Sequence, residues 1–162
     1  MKKAFIILCM AIAAQTACAQ GVNTIINKYK SEPRAEYVHV PKLLMKLGAM
    51  GTKNEADDIE DRAKLAFMKH ISSITVLDLE DCSDRVRRNF TKDVGKLSLE
   101  GYETVMEATD DGEKVRMVAK KEGDLIREFL ILVTDDDECA LIQFKGEITQ
   151  EDVDKLLKEQ GA

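Results

Sequence analysis

Tryptophan is missing from the sequence, and histidine and proline occur only twice each. Neither His39 nor His70 has a cysteine, a histidine or a carboxylate at the spacing of metal ligands, so no zinc motif is indicated. The sequence also lacks a Gly-x-Ser-x-Gly or Ser-x-x-Lys motif, and its glycines form no phosphate-binding loop between a strand and a helix. These absences predict a protein that is not an enzyme and that uses no metal or cofactor.

Positive charge is in the minority, because 24 lysines and arginines stand against 30 acidic residues and give a formal net charge of -6. No basic run interrupts this balance. Nucleic acids and anionic membranes carry the same sign of charge, so we expect neither to be attracted by the domain. An acidic surface of this kind keeps a small domain soluble.

Carboxylates cluster at two places, around Asp78, Glu80 and Asp81 and along residues 135–138. Calcium is bound by such oxygens, but the second cluster is too short for an EF-hand loop and lacks its glycine and its final glutamate. We therefore expect the second cluster to be a solvated hairpin tip.

A hydrophobic run that could span a membrane is also lacking, since residues 4–14 fall short of the ~20 apolar residues that a spanning helix needs. Lys2 and Lys3 precede this stretch, and Ala17-Cys18-Ala19 follows it. A basic start, a short apolar core and an Ala-x-Ala end are typical of a secretory signal peptide. We therefore predict that residues 1–19 are removed and that residues 20–162 form one domain, exported to the periplasm or the cell envelope.

Cys18 supports a second interpretation of the same segment, in which it becomes the lipid-bearing first residue of a bacterial lipoprotein and tethers the domain to a membrane. Such sites usually have a leucine three residues before the cysteine, where this chain has Gln15. Removal of residues 1–19 without lipidation is therefore the preferred prediction. Lipidation of Cys18 stays the alternative.

Cys82 and Cys139 remain after processing, in a compartment where thiols can be oxidised. Their spacing matches no metal motif, and two cysteines do not make a disulfide scaffold for a domain of this size. A disulfide between them requires Cα atoms within ~7 Å of each other. The sequence is compatible both with a bridge and with two buried free thiols.

Hydrophobic periodicity predicts a mixture of helices and strands in the first half of the chain. An amphipathic helix over residues 22–30 precedes a short strand at residues 36–40, and Pro41 suits the first turn of a helix that carries Leu43 and Leu44. Another helix begins near Asn54, and β-branched residues predict a central strand at residues 71–79. Ser83 can cap the helix that follows.

The second half alternates with a period of two, as strands do. Tyr102, Thr104, Met106 and Ala108 are predicted to share one side of a strand, and Asp111-Gly112 and Gly123 supply tight turns. Residues 149–152 have the pattern of a capping box that opens a last helix. The predicted fold class is α+β, with a mostly antiparallel sheet, a C-terminal four-strand meander and helices packed on one face.

Four segments carry a resemblance to a known family, namely YVHVPKLLMKLG, ITVLDLED, GYETVME and LIQFKGEIT. Over nearly the whole mature chain, the sequence resembles small exported proteins from Gram-negative anaerobes that are classified only as a domain of unknown function. The resemblance supports export and the fold, and it brings no catalytic residues. Many relatives resemble lipoproteins, which adds weight to the Cys18 alternative.

Export, a single acidic domain and the lack of a catalytic motif favour a non-enzymatic envelope protein. We expect it to act as a binding or interaction module for another envelope protein, which the sequence does not identify. The alternative is a carrier of a small apolar or amphipathic ligand in a pocket between the sheet and the helices. Methionines are adaptable enough to line such a pocket, and the mature chain has Met45, Met50, Met68, Met106 and Met117.

Intact-mass spectrometry of the membrane and soluble fractions of producing cells tests the predicted start of the mature chain. We expect a soluble species that begins at Gln20, because the Ala-x-Ala signal places the cut after Ala19. A diacylated species that begins at Cys18 in the membrane fraction would contradict this prediction and establish the lipoprotein alternative.

Overall fold

The computed structural model of the chain describes residues 21–45, 68–110 and 112–151. Residues 42–45 and 68–70 are helical, and the longer elements are labelled here in chain order. The helices are α1, Val22–Tyr29, and α2, Asp84–Val94. The strands are β1, Glu36–Pro41; β2, Ile71–Asp78; β3, Tyr102–Asp110; β4, Glu113–Glu122; β5, Leu125–Thr134; and β6, Cys139–Thr149.

The predicted elements of the first half lie close to the observed ones. α1 and β2 each end one residue before the predicted end, and Ser83 is the N-cap of α2, although its side chain makes no capping hydrogen bond. Pro41 is the last residue of β1, and the helical residues 42–45 follow it directly, so the predicted helix that carries Leu43 and Leu44 begins one residue after Pro41. A strand at the edge of a sheet tolerates proline because the missing N–H is not needed there. The helix predicted from Asn54 and the body of the last helix lie outside the described residues.

The six strands form one sheet in the order β1-β2-β6-β5-β4-β3, and every neighbouring pair is antiparallel. The predicted α+β class with an antiparallel sheet is therefore confirmed. β6 pairs with β2 on one side and with β5 on the other, so the last strand joins the first two strands to the rest. β2 and β3 run in the same direction but are separated by three strands, and α2 connects them.

A β-bulge in β3 breaks the alternation that the sequence predicts for this strand. Thr104 pairs with Val118 and Met106 pairs with Met117, and the two partners are adjacent residues of β4. Adjacent residues of a strand face opposite sides of a sheet, so Thr104 and Met106 lie on opposite faces. The prediction that they share one side is wrong, because the bulge adds a residue between them.

One face of the sheet packs against α1 and α2. The helices contribute residues at helical spacing, and the sheet contributes large aliphatic residues from its central strands. The buried helix residues are Val22, Ile25, Ile26 and Tyr29 of α1 and Val86, Phe90 and Val94 of α2. The sheet residues of this cluster include Leu77, Val118, Leu130, Leu132 and Leu141. We call this the helix-covered face.

The opposite face of the sheet is apolar as well. Its buried cluster comprises Ile71, Ala119, Ile126, Phe129 and Ile148 together with Met45. On β5, Leu130 and Leu132 belong to the helix-covered face, whereas Phe129 and Ile131 belong to this second cluster. Strands that are apolar on both faces need cover on both sides, so the prediction of helices on one face accounts for only half of the packing.

A carboxylate joins α1 to α2. Asp93 Oδ2 accepts a hydrogen bond of 2.8 Å from the Tyr29 hydroxyl and another from the Lys28 ammonium. Burial alone would raise the pKa of Asp93, but the hydrogen bonds from Lys28 and Tyr29 together outweigh it and hold the pKa below its ordinary value. The Tyr29 ring also meets Phe90 edge-on, with ring centroids 5.3 Å apart, so one tyrosine supplies both polar and apolar contacts between the helices.

Gly146 allows β6 to pass close to the start of β2. A Cβ atom at this position would overlap with the carbonyl oxygen of His70 and would lie 2.9 Å from the Ile71 Cα. These are main-chain atoms, which cannot rotate away as a side chain could. The register between β2 and β6 is irregular between Ile71 and Ser73, at this same contact. The end of the β2–β6 pairing therefore requires glycine.

We expect Gly146→Ala to lower the free energy of unfolding by about 3 kcal/mol, since the new methyl group forces the backbone of β2 to move. Gly95→Ala is the matched control, because Gly95 has a helical φ of -63° and its nearest contact is the Thr91 carbonyl oxygen at 3.4 Å. The control should change the free energy by less than ~0.5 kcal/mol. Urea unfolding followed by circular dichroism measures both, and equal effects would contradict the close approach.

We expect Asp93→Asn to be less stable than the natural chain at pH 7 by about 1 kcal/mol, since asparagine keeps an acceptor but loses the charge. A carboxylate whose pKa is lowered by folding contributes stability above its unfolded pKa of ~3.9, and this contribution disappears as the pH falls through the lower folded value. The two proteins should therefore converge in acid. Urea unfolding across this pH range measures the gap, with the exposed Asp124→Asn as control. A gap that widened in acid would contradict the assignment.

Candidate interaction surface

Exposed large hydrophobic side chains concentrate in β1 and the residues that follow it. Tyr37 is 40% exposed, Val38 52%, Leu43 69% and Leu44 54%. Among the residues that the structure describes, Met106 of β3 is the one other large hydrophobic residue in this class. We call Tyr37, Val38, Leu43 and Leu44 the β1 apolar patch.

β1 is an edge strand, and this position explains the exposure of Tyr37 and Val38. Within the described chain β1 pairs with β2 alone, so its outer main-chain N–H and C=O groups are available to a further strand. Its register with β2 is regular through six consecutive pairs, from Glu36–Asp78 to Pro41–Ser73. Val38 pairs with Val76 and lies on the side of the second cluster, but it stays exposed because no strand of the described residues flanks it on the outer side.

β3, the opposite edge of the sheet, is protected in two ways. Its bulge interrupts the regular main-chain pattern, and its acidic residues form ion pairs with β4. Glu107 lies 2.7 Å from the Lys114 ammonium, and Glu103 lies 2.8 Å from that of Lys121. Bulges and charges of this kind discourage pairing with another chain. Within the described residues β1 has neither a bulge nor an ion pair, so we call it the open edge of the sheet.

A basic cleft of about 500 Å³ lies beyond the end of β1 and is lined by Lys42, Lys69, His70, Arg127 and Glu147, among others. Arg127 is engaged, since it donates to Glu122 at 2.7 Å and to Glu147 at 2.8 Å. The hydrogen bond from Arg127 lowers the pKa of Glu147. Lys42 and Lys69 form no ion pair within the described part of the chain, so the cleft presents positive charge on an acidic protein.

Cys82 and Cys139 lie in the core cluster of the helix-covered face, and the structure has both as buried free thiols. Cys82 Sγ is 3.5 Å from the Pro33 carbonyl oxygen, and Cys139 Sγ is 3.3 Å from that of Asp135. Burial raises the pKa of Cys82, which favours the unreactive thiol form. A bridge between the two in the oxidised protein stays a prediction, and Cys18 lies outside the described residues.

Both histidines are exposed, and each makes a polar contact with a neighbouring strand. His39 Nδ1 lies 2.9 Å from Thr75 Oγ1, and His70 Nδ1 lies 3.1 Å from the carbonyl oxygen of Glu147. In the described residues, no three histidine, cysteine or acidic side chains are grouped so that they could hold a metal ion.

Arg87 organises the two acidic segments, a role that the sequence reasoning missed. Its guanidinium donates to the main-chain carbonyls of Glu80, Cys82 and Asp136 at 2.6 to 2.8 Å, and its side chain is only 12% exposed. It also meets Asp84, three residues earlier on α2, at 2.8 Å. That spacing of opposite charges was the available signal. The Arg87 guanidinium thus links the two carboxylate-rich segments through their main-chain carbonyls.

Three of the five methionines lie in or against the second cluster, and none lines the clefts of the described residues. Met45 is buried in the second cluster, Met68 and Met117 pack against it, Met106 is exposed, and Met50 lies outside the described residues. A small cleft of about 170 Å³ beneath α2 is lined by Val94, Leu132, Arg116 and other residues, without methionine. The clefts found in the described part of the chain therefore differ from the methionine-lined pocket that the carrier alternative requires.

Comparison with known proteins gives one match. The model of a family described as a domain of unknown function, DUF4252, matches residues 29–156, which include β1 to β6 and the four segments that carry the resemblance. No curated protein and no solved structure matches the chain. Among the described residues, no helix combines the length and the apolar character needed to cross a membrane.

Proposed function

Because the chain belongs to the DUF4252 family, whose function is unknown, we propose its function from its surface: it is a non-enzymatic exported envelope protein that binds another envelope protein through the edge of β1. The observation that carries this proposal is the difference between the two edges of the sheet. β3 is interrupted by a bulge and carries ion pairs, whereas β1 is regular and has the β1 apolar patch beside it.

The partner contributes an extended segment that adds to the sheet as a seventh strand. Main-chain hydrogen bonds to β1 supply affinity, and alternate side chains of the added strand supply specificity. Val38 and its neighbours on the second-cluster side provide apolar contact for every second residue of the segment. The patch is exposed in the free protein, so binding removes apolar surface from water without unfolding β1.

Charge determines which segment fits. Lys42 and Lys69 of the basic cleft lie beyond the end of β1 without an ionic partner in the described chain, so an acidic residue of the partner strand is favoured there. The partner is therefore an extended segment with alternating apolar residues and an acidic end. Electrostatic attraction of this kind accelerates association and fixes the register of the added strand.

The rest of the fold serves as the scaffold in this proposal. A C-terminal four-strand meander, with helices packed on one face, holds β2 and therefore β1 in place from the inside of the sheet. The domain works in the periplasm or at the cell envelope after residues 1–19 are removed, and it contacts a membrane only if Cys18 is lipidated.

Site-specific photo-crosslinking in producing cells tests the proposal. A photoreactive amino acid replaces Val38 on the open edge or, as the matched control, Met106 on the protected edge, since both side chains are exposed hydrophobics of edge strands. We expect one defined envelope protein to crosslink at position 38 and not at position 106. Equal crosslinking at both positions, or crosslinks only to a second copy of this chain, would contradict a distinct partner at β1.

Val38→Lys is expected to abolish the crosslinked complex when the photoreactive residue is moved to position 43, because a lysine on an edge strand opposes strand addition. Met106→Lys is the control and should preserve the complex. Lys42→Glu should weaken it about tenfold by reversing the charge opposite the acidic end. Unchanged melting temperatures establish that the variants fold, and an intact complex in Val38→Lys would refute docking at β1.

A further inference from the structure

A second cleft, of about 260 Å³, lies between α1 and the helix-covered face at the β1-β2-β6 side of the sheet. Residues from four separate elements line it, including Asn23 and Asn27 from α1, His39 from β1, Thr75 from β2, and Gln143 and Lys145 from β6. It is called the polar cleft below. It shares Tyr37 with the β1 apolar patch but uses side chains of the helix-covered face and not the outer main-chain edge of β1, so the inference drawn from it does not require the proposed function.

At the polar cleft, the side chains of the helix-covered face change from apolar to polar and then to charged along β2 and β6. Three consecutive cross-strand pairs of β2 and β6 share this face, namely Leu77–Leu141, Thr75–Gln143 and Ser73–Lys145. The first pair is apolar and completely buried. The second pair is polar although Thr75 is only 4% and Gln143 only 3% exposed, and the third pair carries a charge.

Buried polar side chains are costly unless they are hydrogen-bonded, and here they are. Thr75 Oγ1 lies 2.9 Å from His39 Nδ1, and Gln143 Nε2 donates to Glu128 Oε1 at 2.6 Å. These bonds fix the floor of the cleft in one arrangement. An apolar pair at this level would have continued the packing of Leu77 and Leu141, whereas Thr75 and Gln143 give the cleft a fixed polar floor that a hydroxylated ligand can meet.

The charge of the cleft selects the ligand. Lys145 lines the cleft, and it takes part in no ion pair in the described part of the chain. The described lining holds no carboxylate, and Glu128, the cross-strand partner of Lys145 on β5, accepts the hydrogen bond from Gln143 Nε2 beside the cleft. The hydroxyl of Ser73 and the side-chain amides of Asn23 and Asn27 add hydrogen-bond donors around the ammonium. The ammonium of Lys145 gives the described lining a positive charge, which suits an anion, and the hydroxyl and amides can both donate to and accept from its polar groups.

We propose that the polar cleft binds a small hydroxylated carboxylate of single negative charge, of the sugar-acid or hydroxy-acid class. The single ammonium of Lys145 matches one carboxylate, and the amides and hydroxyls match the hydroxyl groups of the ligand. The volume of about 260 Å³ equals that of roughly nine liquid water molecules at about 30 Å³ each, so the cleft suits a small ligand. Binding is stronger at low ionic strength because the attraction is electrostatic.

Isothermal titration calorimetry of the mature protein tests the proposal with threonate, a four-carbon sugar acid, and with threitol, its uncharged counterpart. We expect saturable heat with threonate and none with threitol. Added salt should weaken the binding of threonate. No saturable binding of threonate to the folded natural protein at low salt, or equal binding of the two probes, would overturn the proposal.

Lys145→Gln should weaken threonate binding at least about tenfold, since a charge-assisted hydrogen bond is lost. Lys92→Gln, on the exposed side of α2 and away from the cleft, is the matched control and should bind as the natural protein does. Asn27→Asp, which places a negative charge in the lining, should abolish binding. Melting temperatures establish that each variant is folded. Natural affinity in folded Lys145→Gln would show that threonate does not bind in the polar cleft.

Discussion

The alternation of side chains along a strand is the constraint from which this structure follows. The central strands carry apolar residues on both faces, as Leu130 and Ile131 do on β5, so the sheet has two surfaces that water disfavours. α1 and α2 cover one of them, and burial at about 25 cal/mol per Å² of apolar area makes this cover a major contribution to stability. The cover ends at β1, where apolar side chains meet water.

Local features of the fold could be predicted because the signals that specify them are local. The helical spacing of residues 22–30 and the β-branched run of residues 71–79 gave elements within a residue of the observed ends. Gly123 was predicted as a turn and has a φ of 62°, a conformation that favours glycine. The order of the strands in the sheet, by contrast, is not specified by local signals. Nothing in the sequence near β6 indicates that it pairs with β2, since partners are selected by the packing of the whole sheet.

The candidate sites could not be predicted for the same reason. Val38 has the sequence pattern of an ordinary strand residue, and its exposure follows only from the position of β1 at the edge. Asn27, Thr75 and Gln143 each have the pattern of isolated surface residues, and only the topology brings them to one cleft. The two sites share β1 but use different parts of it, with main-chain groups at the outer edge and His39 on the helix-covered face. One short strand thus supports two independent surfaces.

The central position of β6 determines when this domain can fold. During synthesis β1 and β2 emerge first, but their inner neighbour is the last strand of the sheet. Contacts between distant parts of a chain form slowly because a long loop must close before they are gained. The sheet therefore stays incomplete until β6 has been synthesised. A product truncated before β6 leaves β1 and β2 as an isolated hairpin, which is marginal in water and exposed to proteases.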